Sequence, residues 1–185
     1  MNYHKYHLKE HNIYLVGFMA TGKSRVGKVL AGMMQRAFFD TDDFIEKTSG
    51  HTIAELFSLQ GEKYFRRLER QTVEMMTRKR EAVISLGGGA VLDPINWQRL
   101  TETGLTICLQ ADLDVLADRI SRKKNRPLMS GYSKSELQSR IQSLLQEREP
   151  YYCRADYIFK SRETVPADEL AATIFKTLWN DYASN

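Results

Sequence analysis

The tightest constraint on this chain is an eight-residue run near its start, Gly17-Phe18-Met19-Ala20-Thr21-Gly22-Lys23-Ser24. It fits G-x-x-x-x-G-K-[ST], a phosphate-loop pattern in which backbone N–H groups cradle an anion. A pattern this short needs context on both sides. Ile13-Tyr14-Leu15-Val16 precedes it, a short apolar run of the kind that forms a buried strand. Val26, Val29, Leu30, Met33 and Met34 follow at helical spacing and mark an apolar helix face. Strand, Gly-rich turn and helix together aim a helix N-terminus at a phosphate. In that setting Lys23 reaches the β/γ-phosphates and the Ser24 hydroxyl is placed to hold Mg²⁺. The alternative is a turn that binds nothing. The lysine and hydroxyl, each where the chemistry needs it, argue against that.

The remainder of the chain alternates strand and helix patterns. Ala37-Phe38-Phe39 is a second apolar run, ending in Asp40-Thr41-Asp42-Asp43. An acidic cluster at a strand's C-terminal end sits where open α/β sheets bind ligands. A short helix runs to Thr48 and closes at Ser49-Gly50. Thr52 caps the next, with Glu55 as its box partner. Gly61 begins a longer helical pattern with Phe65, Leu68, Thr72 and Met75 on one stripe. On it Arg66 and Glu69 are surface neighbours: either an ion pair of little consequence or an arginine held ready for an anion.

Ala82 to Leu86 predicts a third strand and leads into Gly87-Gly88-Gly89. Three glycines let the backbone come close to a ligand. Asp93-Pro94 starts a helix that Gly104 stops, and Leu105 to Leu109 is a fourth strand. Leu113, Leu116, Ala117 and Ile120 mark the next helix. Lys123 to Ser133 is a basic segment with proline and glycine that reads as a lid, from which Arg126 is placed to close over phosphates. A helix resumes near Ser135 and is interrupted at Pro150. Tyr157-Ile158-Phe159 is a fifth strand, and Leu170, Ile174, Phe175 and Leu178 mark the last helix. Alternation of this kind predicts a parallel sheet covered on both faces, within one domain over residues 1–185.

Composition narrows the function classes. A net charge of +4 over 185 residues suits anionic small molecules, and a nucleic-acid reading needs more than the run at residues 121–126. A non-catalytic nucleotide- or nucleic-acid-associated module remains the alternative class. The two cysteines, Cys108 and Cys153, lack metal-like spacing and suggest no disulfide framework. Cys108 is expected to be a buried small hydrophobe. His4, His7 and His11 lie in a polar lead-in rather than a metal site. No run approaches membrane-spanning length, so a cytoplasmic protein is expected, with neither membrane nor nucleic acid as partner.

Several motifs then fall in one order: Gly17 to Ser24, Asp40-x-Asp42, Gly61-Glu62-x-x-Phe65-Arg66-x-x-Glu69, Ser85-Leu86-Gly87-Gly88-Gly89, Arg126-Pro127-Leu128 and Arg148-x-x-Tyr151. In this order they resemble shikimate kinase, of the nucleoside-monophosphate-kinase-like group of P-loop proteins. The resemblance implies a three-layer P-loop fold, an α/β five-stranded parallel sheet in the order 2-3-1-4-5, and ATP-dependent phosphorylation of the shikimate 3-hydroxyl. It implies that Arg66 and Arg148 clasp the shikimate carboxylate, that Gly88 touches substrate through its backbone, and that Asp42 binds ring hydroxyls and serves as base. Ala20, Thr21, Gly22, Lys23, Ser24 and Arg25 would hold the ATP phosphates, with Arg126 from the lid. Ser24 would bind Mg²⁺ with Asp40 near it, and Arg119 with the Pro166 loop would hold the adenine. A monomer is expected.

The sequence departs from the family pattern at two positions. Ala20 stands where glycine is usual and is expected to keep a negative φ. Arg25 replaces a frequent threonine and is expected only to change solvent contacts.

Overall fold

The computed structural model describes residues 11–122 and 134–183. Five strands form one parallel sheet: β1 (Asn12–Val16), β2 (Ala37–Asp40), β3 (Ala82–Ser85), β4 (Gly104–Gln110) and β5 (Tyr157–Lys160), in the spatial order β2-β3-β1-β4-β5. This is the expected order. Among the described residues seven α-helices connect and cover them: α1 (Lys23–Met33), α2 (Thr41–Ser49), α3 (Ile53–Thr77), α4 (Pro94–Thr103), α5 (Leu113–Ser121), α6 (Lys134–Tyr152) and α7 (Ala167–Ala183).

Period-two alternation sorts the strands' side chains into two cores. Ile13 and Leu15 of β1, Val83 of β3 and Ile107 and Leu109 of β4 pack with α1 and α7. Tyr14 and Val16, Ile84 and Cys108 face the other way, against α3, α4, α5 and α6. Both faces are buried, which is why the β1 sequence reads as a continuous apolar run. Cys108 is fully buried, as expected.

Register positions the site. Leu15 pairs with Ser85, and Ser85 with Asp40, so β1, β3 and β2 end level with one another. The turns after all three therefore open on one edge. Val16 pairs with Cys108, which brings β4 to the same edge.

Several local expectations need correction. The Thr52–Glu55 capping box starts a helix at Ile53 as expected, and Gly61, whose φ of 77° and ψ of 168° are not helical, divides it from the longer helical stretch that follows, so that α3 is kinked there. Its buried stripe is Phe65, Glu69, Thr72, Val73 and Met76, and Met75 is 44% exposed. A carboxylate thus takes a place on the inward face. Pro150 does not end α6 either. Cys153 N–H donates to Glu149 carbonyl at 2.9 Å, so the backbone ladder continues past the proline.

Candidate active site

The loop after β1 is shaped by close approach. Gly17 has φ 130°, and a β carbon there would lie 2.3 Å from the Leu109 carbonyl oxygen. The following residues turn back under α1, where Gly22 precedes the first helical residue, Lys23. Lys23 Nζ donates to the carbonyls of Gly17 (2.8 Å) and Phe18 (2.9 Å), so the lysine spans its own loop. Thr21 Oγ1 donates to Phe18 carbonyl at 2.9 Å. Arg25 is exposed.

Ala20 departs from expectation. Its φ is 63°, in the left-handed region, and not negative. A non-glycine residue there costs on the order of 1–2 kcal/mol. Arg119 helps to hold it. Its Nη1 donates to Ala20 carbonyl at 3.2 Å and to Ser161 Oγ at 3.0 Å. The same guanidinium reaches Arg162 carbonyl (3.3 Å) and Glu163 (3.2 Å). Arg119 therefore ties the phosphate loop to the segment between β5 and α7. Pro166 ends that segment, exposed, and its carbonyl accepts from Leu170 N–H at 3.1 Å.

Asp40 links the phosphate loop to the acidic turn. Ser24 Oγ donates to Asp40 Oδ2 at 2.5 Å. Asp40 Oδ1 accepts from the N–H groups of Asp42 (3.0 Å) and Asp43 (3.4 Å), capping α2. The cap fixes where Asp42 leaves the helix. Asp42 then lies against the triple-glycine turn: a β carbon on Gly87 would be 2.6 Å from Asp42 Oδ1 and 3.0 Å from Glu69 Oε1. Gly87 N–H donates to Thr41 Oγ1 at 2.9 Å, pinning turn to helix.

The arginines converge on this turn. Arg66 Nη1 donates to Glu69 Oε2 at 2.7 Å, while its Nε and Nη2 reach Glu62. Glu69 is 2% exposed. Burial pushes its carboxyl above the ordinary value, opposed by the charges of Arg66 and Arg148. Of the two readings of the Arg66–Glu69 pair, the inert surface bridge is excluded by that burial. Arg148 is itself buried and lies 5.7 Å from the centre of the Phe18 ring. Phe18 carbonyl is one of the Lys23 acceptors, so Arg66, Arg148 and the phosphate-loop lysine belong to one cleft.

Sequence reasoning missed Tyr152: the motif Arg148-x-x-Tyr151 stops one residue short of it and gives Tyr151 no role. Tyr151 is exposed and faces Arg154, with ring centre and guanidinium 5.0 Å apart. Tyr152 is buried and donates its hydroxyl to Gly88 carbonyl at 2.7 Å, in the field of the Arg148 charge. Tyr151 and Tyr152 stand three and four residues from Arg148, so helical spacing brings both near it and does not choose between them. Ser161 and Glu163 were also missed, as polar loop residues with no pattern. Arg126 and the lid segment 123–133 lie outside the described residues, as do His4 and His7.

A phosphate loop on the central strand of a 2-3-1-4-5 parallel sheet, facing an aspartate and two arginines across the strand ends, defines a P-loop small-molecule kinase. The shikimate kinase family model matches residues 19–179, and the chain belongs to that family. The shikimate kinase of Thermoanaerobacter pseudethanolicus is 42% identical over 165 residues, 89% of this chain and 94% of that protein. That of Pelotomaculum thermopropionicum is 45% identical over 146 residues, 79% of this chain and 83% of the relative. Among solved structures, Acinetobacter baumannii shikimate kinase in complex with shikimate superposes with a TM-score of 0.87 at 32% identity, covering 92% of this chain and 94% of the other. The Bacteroides thetaiotaomicron enzyme gives 0.86 at 33%, covering 92% and 99%.

Proposed function

We propose that this chain, acting as one kinase domain, transfers the γ-phosphoryl group of ATP to the 3-hydroxyl of shikimate, giving shikimate 3-phosphate and ADP. This is a step of aromatic amino-acid biosynthesis. The observation that carries the reading is the meeting of Arg66, Arg148 and Asp42 around the Gly87–Gly89 turn, across from Lys23. Such a cleft suits an acceptor with a carboxylate at one end and a hydroxyl at the other.

In this reading Arg66 and Arg148 grip the carboxylate, since a guanidinium matches a planar carboxylate with two parallel N–H donors. Gly88 and the turn around it contact the ring. Asp42 orients the 3-hydroxyl and takes its proton as the oxygen attacks the γ-phosphorus and ADP leaves. Ala20 to Arg25 cradle the phosphates, and Lys23 neutralises charge that builds on the transferred group. Arg126 closes from the lid, and Arg119 with the Pro166 loop holds the adenine.

Mg²⁺ fits the residues present. Ser24 Oγ and Asp40 Oδ2 are hard oxygen donors 2.5 Å apart at the mouth of the phosphate loop. Such an ion takes one or two protein oxygens and completes its shell with phosphates and water. Ser24 would bind it, with Asp40 behind through water, and it would shield the negative charge of the triphosphate. The chain is proposed to act as a monomer. Free cysteines, and the absence of a membrane-spanning helix among the described residues, suit a cytoplasmic enzyme without membrane or nucleic-acid partners.

The test is a coupled ADP assay over a panel of acceptors, with wild type and Arg66→Ala. Shikimate-dependent turnover, weakened in the variant chiefly through KM, is expected. Turnover of gluconate without turnover of shikimate would overturn the reading.

A further inference from the structure

The glycine turn is held by a buried hydroxyl that also feels the Arg148 charge. Tyr152 Oη donates to Gly88 carbonyl at 2.7 Å, and the Arg148 guanidinium acts on the same phenol. The tyrosine is 3% exposed, so the bond to Gly88 is not exchanged for water. Burial, offset in part by Arg148, pushes its phenol up to about 12. It stays a donor at any working pH.

The Gly88 carbonyl belongs to a planar peptide unit. Carbonyl and N–H point in opposite directions across such a unit, so fixing one fixes the other. The N–H on that unit is Gly89's. Among the described residues neither Gly88 nor Gly89 N–H donates to a protein acceptor. Gly87 and Ala90 N–H are occupied, by Thr41 Oγ1 and Gly87 carbonyl. The turn therefore keeps two consecutive donors available, in a place where Arg66 Nη1 would be 2.4 Å from a β carbon on Gly89. Two adjacent amides beside a guanidinium make an anion site of the kind formed by backbone nests. Arg148 supplies the second guanidinium, and its Nε has no hydrogen-bond partner although it is buried.

We propose that Tyr152 is a positioning residue for the acceptor's carboxylate. Its hydroxyl sets the plane of the Gly88–Gly89 peptide beside the Arg148 guanidinium, so that amide and arginine address one anion. It touches no reacting atom and acts through the Gly88 peptide. This rests on the reading of the cleft as the shikimate site.

The test is Tyr152→Phe, which keeps the ring in the core and removes only the hydroxyl. KM for shikimate should rise about tenfold, the scale of one hydrogen bond to a charged group, with kcat changed less than about twofold. KM for ATP should not move. The discriminating arm is a shikimate analogue whose carboxylate is reduced to a hydroxymethyl group. Wild type and variant should handle it equally, because the grip being lost is specific for the anion. An equal KM for shikimate in both proteins would overturn the proposal, as would an equal penalty on both acceptors. If Tyr152→Phe does not fold, 3,5-difluorotyrosine at position 152 replaces it. Its phenol ionises far more readily, so KM should rise with pH where the wild type stays flat, and a flat profile counts against the proposal. Wild type without shikimate turnover overturns the functional reading itself, and the proposal with it.

Discussion

Arg66 Nη1 donates to Glu69 Oε2 over 2.7 Å, and the carboxylate it meets is 2% exposed. Removing the arginine leaves a buried charge without its nearest partner, an arrangement that is costly while the group stays ionised. Burial already pushes the Glu69 carboxyl up, and losing Arg66 raises it further. The folded state then holds the proton to higher pH than the unfolded chain, whose value is 4.5. Stability is fullest below that value and falls as pH rises through the folded one. Arg66→Ala should therefore unfold closer to wild type at pH 5 than at pH 8. Thermal melts at both pH values check it, and equal deficits would contradict the buried pairing.

The same arginine is confined from the other side. A β carbon on Gly89 would sit 2.4 Å from Arg66 Nη1 and 2.8 Å from Nη2. These atoms end a flexible side chain, so Gly89→Ala should fold while displacing the guanidinium. The expected result is a shikimate KM raised by about tenfold, roughly 1.4 kcal/mol of lost binding. KM for ATP should be unaffected. A variant with wild-type shikimate kinetics would show that Arg66 does not need its present place.

Much of this was legible because the strongest signals are local. The phosphate-loop motif, the Thr52–Glu55 box and the apolar strands each depend on a few adjacent residues, and the alternation of elements then predicts a parallel sheet covered on both faces, while its strand order comes from the family resemblance. What failed were readings with two local solutions. Pro150 ends most helices, but here Cys153 bonds back to Glu149 and the helix carries Tyr152 into the cleft. Tyr151 and Tyr152 are adjacent, and only the position of Gly88 decides which one is buried. Ala20 was expected at negative φ because alanine prefers it, yet loop closure and the Arg119 bond to its carbonyl hold it at 63°. The arrangement of Arg66 and Arg148 around Glu69 joins α3 to α6, and no spacing rule reaches that far along the chain.

The two cysteines should differ sharply in reactivity. Burial, only partly offset by Lys23, pushes the Cys108 thiol up to about 12, while Cys153 is exposed. The thiolate is the reactive form. At pH 8 a chromogenic disulfide reagent should therefore titrate one thiol rapidly in the native protein and the second only after denaturation. Two fast thiols would mean that β4 is not sealed beneath the phosphate loop.

Ala20 offers the reverse kind of change, one that should improve the protein. Its φ of 63° is open to glycine without steric penalty, whereas alanine is strained there. Relief of about 1–2 kcal/mol is offset by the extra freedom glycine gives the unfolded chain, about 0.5–1 kcal/mol. The difference leaves Ala20→Gly more stable by roughly 0.5–1 kcal/mol, and Tm should rise by about 1–4 °C. Arg119 would keep its bond to the carbonyl of residue 20, which any side chain preserves. KM for ATP should consequently stay within about twofold of wild type. Calorimetry and nucleotide kinetics on the purified variant check both halves. A lower Tm would show that the left-handed turn costs this loop nothing, and that the backbone freedom of glycine decides the balance instead.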